Sequence, residues 1–368
     1  MTVPNNNPVL YRINDSSERN ASIDIVKGIC ILLMVMGHSG VPKIVHHSIY
    51  MFHMPCFFIV SGWLFKEKYI NDTTAFIKRR FDSLWKPYAT WGLIYLCLAN
   101  LLITLHISQP PYYEFNDYLK LGFEVLTMQN AHILLGGFWF IESLFVSSII
   151  AILWYKFIGS KLQPICIGIT VFVGGALAIC YYNIDIPYIH TRTLMGIAYF
   201  FTGTLLSRIR ISGAGFKTIM IIIAMIALGC GIFFIMPVEL LYMKANMVVP
   251  YFIASTLISY TLIITCIAVG SSKHLKWLIT LGRRSIDILI FHFLMFKIVS
   301  LIKIWHYGLP IERLSDFPIV GDANYVYWIV FVVFGVWGSM LLADGITIVR
   351  YRFFNFFHKY IPINKTDS

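Results

Sequence analysis

The chain has 368 residues, 58% of them hydrophobic and only 13% charged, with a formal net charge of +11. Water-soluble domains carry about 25% charged and about 45–50% apolar residues, so this composition excludes an ordinary soluble enzyme. The positive balance does not point to nucleic acid, because the basic residues sit in short loops between apolar blocks, as in the cytoplasmic loops of membrane proteins.

Taken in chain order, residues 1–20 (with NNN and NDSSERN and no apolar core) read as a disordered cytoplasmic tail and not as a signal peptide. Blocks such as FFIVSGWLF and YVYWIVFVVFGVWGSMLLA are apolar around the whole helix circumference, which leaves no face for water. Blocks of about 20 such residues match a hydrocarbon core of about 30 Å. About ten spans are predicted, at 23–40, 49–65, 87–107, 138–155, 163–182, 193–207, 216–236, 248–270, 285–302 and 325–349. The expected fold is therefore an all-α, polytopic transmembrane bundle over 21–350, followed by a cytoplasmic tail, 351–368. Twenty-one of the 29 Lys and Arg fall on one side of this arrangement and six on the other, which predicts that both termini are cytoplasmic. The seven cysteines lie in or beside apolar blocks without metal-ligand spacing, so neither a disulfide framework nor a metal site is expected.

Ionisable groups inside spans are costly, so each is a functional candidate. The first span, SIDIVKGICILLMVMGHSG, carries Asp24, Lys27 and His38. Asp24 and Lys27 are i,i+3 neighbours that can pair. Lys27 and His38 lie 11 residues apart, three turns plus about 20°, hence on one face and separated by roughly 16 Å along the axis. A cation near the cytoplasmic end suits the phosphates of a cytosolic donor, and the imidazole then waits where an acceptor arrives. The alternative is that Lys27 snorkels to the interface and His38 caps the helix.

The second span, MFHMPCFFIVSGWLF, has Pro55 near its start, where a missing N–H is no loss, and Ser61-Gly62, which permits close helix approach. His53, at its outer end, is placed to face His38. FIKRRFDSLWKPY follows, with Arg79, Arg80 and Lys86 as a basic cluster for lipid headgroups or a phosphorylated donor. The outer loop 108–137 is acidic and aromatic, and its second half is predicted as an interfacial helix. In GFWFIESLF, Glu142 sits beside Trp139 in an apolar block, where a carboxylate must be paired or protonated. Arg192, and Asp287 with His292 in SIDILIFHFLMF, are similar cases, His292 having the simpler option of donating to a backbone carbonyl. Asp344 reads as the partner of a neighbouring arginine.

SIDIVKGICILLMVMGH, FHMPCFFIVSGWLF, RRFDSLWKPY, GFWFIESLF and LGRRSIDILIFHFLMF, in that order, resemble the membrane acyltransferase family three, which includes bacterial O-acetyltransferases of surface polysaccharides and fucose-O-acetylase-like members. The resemblance spans residues 22 to about 296. Its pattern of a basic residue, ten residues, then His falls on Lys27 and His38, and implies that His38 is the residue essential for transfer. Its FFxxSG pattern falls on Phe57, Phe58, Ser61 and Gly62. Its Arg-x-x-Arg pattern begins at Arg80 but meets Ser83, so Arg79 or Lys86 is left to supply the second cation. Glu142 and Asp287 depart from the family's apolar or small residues and are assigned to this protein's own acceptor, with Trp139, Arg192 and His292.

The resemblance implies an integral-membrane O-acyltransferase of the inner cell membrane, surrounded by lipid and open to homo-oligomerisation. It would move an acetyl group from acetyl-CoA, as substrate and not as resident cofactor, to a sugar hydroxyl of a surface or lipid-linked glycan. His38 then acts as general base or as acyl carrier, with His53 or Glu142 fixing its tautomer or relaying the proton. A secondary transporter or flippase with an ionisable pathway through His38, Glu142, Arg192 and Asp287 is the alternative, although no internal repeat supports it. A sensor that kept the fold without the activity is a third reading.

Overall fold

Apolar residues around a whole helix leave the backbone one way to satisfy its polar groups away from water, which is to bond to itself. The computed structural model describes residues 21–209, 240, 243–269, 273–321 and 326–360, of which 353–360 as backbone only, and its regular elements among these are all helical. The predicted tail 1–20 and the span predicted at 216–236 lie outside the described residues.

The first span is α1, Ala21–His38; a turn through Gly40 leads to α2, Lys43–Tyr50, and a break at Met51-Phe52 to α3, His53–Trp63. Pro55 occupies the first turn of α3, where its missing N–H is not needed. A short α4, Lys68–Asn71, precedes α5, Thr73–Arg80, whose first turn is capped by the Asp72 carboxylate accepting from the Ala75 N–H at 3.0 Å. One wide π turn, Phe81–Trp85, joins α5 to α6, Lys86–Cys97, and then α7, Ala99–Thr104, follows. Pro87 lies just beyond that turn, and a ring with no N–H disturbs the ladder one turn before it.

The loop at 108–137 holds α8, Phe115–Leu126, an amphipathic helix opened by a reciprocal Glu114–Asp117 cap, with Phe115, Leu119 and Phe123 exposed along one stripe. It therefore begins earlier than the half of the loop in which a helix was expected. Then come α9, Phe138–Phe157; α10, Leu162–Tyr182; α11, Thr191–Leu206; α12, Val248–Val269; α13, Lys276–Arg283; and α14, Ser285–Tyr307, which stops at Gly308 in the left-handed conformation. The last pieces are α15, Tyr327–Val333, a second π turn, Phe334–Gly338, and α16, Ser339–Tyr360.

Among the described residues seven helical stretches are long and apolar enough to cross a membrane, which makes this a multi-pass membrane protein. The regions predicted at 87–107 and 193–207 are helical but fall outside those seven, since the first is broken at Leu98 and α11 has only 16 residues. The shortness of α11 suits its place: Met195 to Phe201 are all fully buried, wedged between α3, α9 and α10.

Glycines decide how α1 and α3 are held. A Cβ at Gly28 would run into the Leu278 carbonyl and one at Gly282 into that of Asp24, so the backbones of α1 and α13 touch. Gly62 against the Phe200 carbonyl and Gly203 against that of Ile59 do the same for α3 and α11. In lipid, where apolar side chains gain little from meeting each other, such close backbone contact is what joins helices. The helices that carry Lys27, His38 and His53 are thereby fixed against α13 and α11.

Candidate functional site

Two chambers lie along α1. The first, about 200 Å³, sits toward its N-terminal end, where Lys27 and Arg80 join Ser61 against apolar walls from Phe57, Leu84 and Phe140. The second, about 230 Å³, sits at its C-terminal end, lined by His38, Tyr50, His53, Trp139 and the Gly136-Gly137 backbone. Among the described residues Met34, Met54 and Leu289 line both, so these flexible or branched apolar side chains are common to the chamber of cations and the chamber of histidines.

The cations are individually seated. Lys27 donates to the buried carboxylate of Asp24 at 3.0 Å, and Arg283 reaches the other oxygen of Asp24 from α13, also at 3.0 Å. Arg80 donates to the Ser61 hydroxyl at 2.7 Å and lies over the Phe76 ring. Burial and the neighbouring Arg79 pull the Arg80 guanidinium down to about 10, which still leaves it a cation at neutral pH. Arg79 is exposed and bonded to the Tyr69 hydroxyl, and Lys86 is exposed and paired with Asp82 at 2.6 Å. Neither lines the chamber.

In the second chamber the His38 ring is gripped on several sides. Its Nδ1 stands 3.2 Å from the Tyr50 hydroxyl, and its faces meet His292 (centroids 5.7 Å apart) and Phe293 (4.9 Å). His53 has Nδ1 at 2.7 Å from the Ile49 carbonyl, so that nitrogen carries the hydrogen and Nε2 the lone pair. His292 is fixed the same way, with Nδ1 at 3.1 and 3.0 Å from the carbonyls of Ile288 and Leu289, and its buried Nε2 has no hydrogen-bond partner among the described residues.

Glu142 is buried, with Oε2 accepting from the Ser143 hydroxyl at 3.1 Å and 3.5 Å from the Arg192 guanidinium; Oε1 is buried without a hydrogen-bond partner among the described residues. Arg192 in turn lies 5.9 Å from the centre of the Trp139 ring, which is part of the chamber wall. The structure thus brings Trp139, Glu142 and Arg192 together at one edge of the His38 chamber. Asp287 is elsewhere: it shares Arg284 with Asp344 at the start of α14.

Several residues at the site carried no signal in the sequence. Tyr50 is an ordinary interfacial tyrosine until α2 folds it back onto α1. Arg283 becomes part of the cationic end because α13 lies against α1. Phe317 reaches the chamber from a loop that two buried lysines of α14 hold down, Lys297 donating to the carbonyls of Leu314 (2.8 Å) and Asp316 (2.7 Å) and Lys303 to that of Val320 (2.8 Å). Two lysines six residues apart in an apolar helix were the available clue, since a buried ammonium needs fixed acceptors.

The family described as an acyltransferase domain matches residues 20–344, from the start of α1 into α16. Nodulation protein NolL of Mesorhizobium japonicum is 29% identical over 148 residues, which cover 37% of this chain and 36% of NolL, so the alignment takes in about a third of that relative. No solved structure matches. With nearly the whole described bundle inside the family match, the chain belongs to acyltransferase family 3.

Proposed function

We propose that this membrane acyltransferase moves an acetyl or similarly short acyl group from acyl-CoA to a sugar hydroxyl of a surface or lipid-linked glycan in the inner membrane. One observation carries the reading: a chamber of cations and a chamber holding His38 abut along α1 and share the side chains of Met34, Met54 and Leu289. Coenzyme A is built to that pattern, with phosphates at one end and a thioester at the end of an extended arm. The roughly 16 Å between Lys27 and His38 is on the scale of that arm.

In this scheme the phosphates bind Lys27 and Arg80 from the cytoplasmic side, and the arm passes between Met34, Met54 and Leu289. The acceptor hydroxyl enters the other chamber, against Trp139 and the Glu142–Arg192 pair. His38 takes the hydroxyl proton as the oxygen–carbonyl bond forms and the carbon–sulfur bond breaks. That proton then goes to the departing thiolate, so free CoA leaves and His38 returns to its neutral form. The small second chamber, with glycine backbone on one wall, favours a short acyl group over a fatty one.

The test is transfer of labelled acetyl from acetyl-CoA by purified protein in lipid nanodiscs, together with the mass of surface glycan from cells carrying wild type or His38→Ala at matched expression. The reading expects an acetyl increment on the glycan with wild type and none with His38→Ala, with donor binding retained. Identical glycans from both, and no thioester cleavage by the pure protein, would return the transporter reading to the front.

A further inference from the structure

Resting on that reading of His38 as the base, we infer that Tyr50 is its positioning residue, the group that keeps the proton of the imidazole on Nδ1 and leaves Nε2 open for the acceptor hydroxyl. A base that receives a proton on Nε2 must already carry one on Nδ1, and that Nδ1–H needs an acceptor. The Tyr50 oxygen stands 3.2 Å from Nδ1, and with the imidazole in this tautomer it accepts that hydrogen.

The seat of Tyr50 is built from three sides. Its ring lies against α1 at Gly37, where a Cβ would fall 2.6 Å from the ring. Any other residue at 37 would push the ring off its place beside His38. Its backbone carbonyl accepts from the Tyr251 hydroxyl of α12 at 2.8 Å, which ties the end of α2 to a spanning helix. Its faces are covered by the His46 ring, stacked at 4.2 Å, and by the edge of His53 at 5.0 Å. His38 is restrained in turn by His292 and Phe293 on α14. A tyrosine held this firmly presents its oxygen in one place, which is what orienting an imidazole requires.

A phenol in this role differs from the usual carboxylate partner of a catalytic histidine. It directs the tautomer without adding a charge that would hold the imidazolium, so the proton is taken and given up within one cycle.

The experiment uses full-length protein in lipid bilayers with ¹⁵N-labelled histidine, observed by solid-state NMR, with His38→Ala to assign the His38 signals. Expected is an Nδ1-protonated His38 in wild type and a redistributed tautomer in Tyr50→Phe, while the other histidine signals stay in place and report an intact fold. In the acetyl-transfer assay Tyr50→Phe should lose about tenfold in kcat, the worth of one neutral hydrogen bond, with the acetyl-CoA KM unchanged. An Nε2-protonated His38 in wild type, or a Tyr50→Phe protein with wild-type kcat and tautomer, overturns the assignment. A wild type without transferase activity but with the expected tautomer and its Tyr50→Phe change would sink the proposed function and leave the structural role of Tyr50 standing.

Discussion

Lys27 offers the cleanest perturbation of the donor site, because the structure provides for its loss. Removing one partner of a buried ion pair ordinarily costs about 3–5 kcal/mol, since the other charge is left alone. Here Asp24 keeps Arg283 at 3.0 Å, so Lys27→Met leaves the buried carboxylate paired, and the methionine stem fills the place of the lysine stem. The fold should therefore survive, with a melting temperature within a few degrees of wild type. What disappears is one charge-assisted contact to a donor phosphate, worth about 1.5–3 kcal/mol. That corresponds to about a tenfold to hundredfold weaker acetyl-CoA affinity. Because Lys27 stands roughly 16 Å along α1 from His38, kcat at saturating donor should change little. The assay is steady-state transfer with labelled acetyl-CoA in nanodiscs, paired with direct CoA binding. Lys27→Arg should recover most of the loss, and Arg80→Gln in the same background should weaken binding further. If Lys27→Met lowers kcat and spares KM, or leaves both untouched, the cationic chamber is not the phosphate site.

Three further outcomes follow from the same geometry. Leu289→Trp, which thickens the wall common to both chambers, should block transfer by at least about a hundredfold while CoA still binds; near-normal turnover would show that the donor takes another route. Gly62→Leu would drive a side chain into the Phe200 backbone, which cannot step aside as a flexible side chain can, so a cost above the usual ~1–3 kcal/mol of overpacking is expected. Recovery of a monodisperse protein of wild-type melting temperature would contradict this. Burial, helped by the Lys297 charge, pulls His132 from its ordinary value down to about 4. It is therefore neutral in the fold, and the unfolded chain binds the extra proton first. The resulting stability is complete above about pH 6.5 and declines by up to about 1.4 kcal/mol per pH unit as the pH falls toward 4. His132→Gln should flatten that decline in melting curves, and an unchanged slope would remove His132 as its source.

Much of the bundle is written locally. A helix that must satisfy its own backbone in lipid shows itself as an uninterrupted apolar block, so the spans corresponding to α1, α9, α10, α12 and α14 are readable to within a few residues at most of their ends. The breaks were harder, because the Met51-Phe52 interruption and the two π turns depend on neighbours that sequence period does not reveal. Within one helix the site was legible too: Lys27 and His38 share a face because 11 residues make nearly three turns, and Asp24 lies one turn below Lys27 for the same reason.

Which distant residues join them was decided by packing alone. Arg80 enters the donor chamber while its neighbour Arg79 faces outward, since adjacent helical positions point about 100° apart and only contact with Ser61 selects one. Glu142 found Arg192, 50 positions away, because α9 and α11 lie side by side, whereas Asp287, equally unusual in the sequence, was claimed by Arg284 and Asp344. Tyr50 came to His38 through a fold-back that Gly37 permits and Tyr251 secures. The sequence by itself determined a polytopic helical chain with a cation and a histidine on one face of its first span, because helical period and the exclusion of water act within a segment. The chambers, their shared wall and the partners of each charge came only with the tertiary structure, because close glycine contacts and ion pairs form between segments whose order in the chain says nothing of their distance.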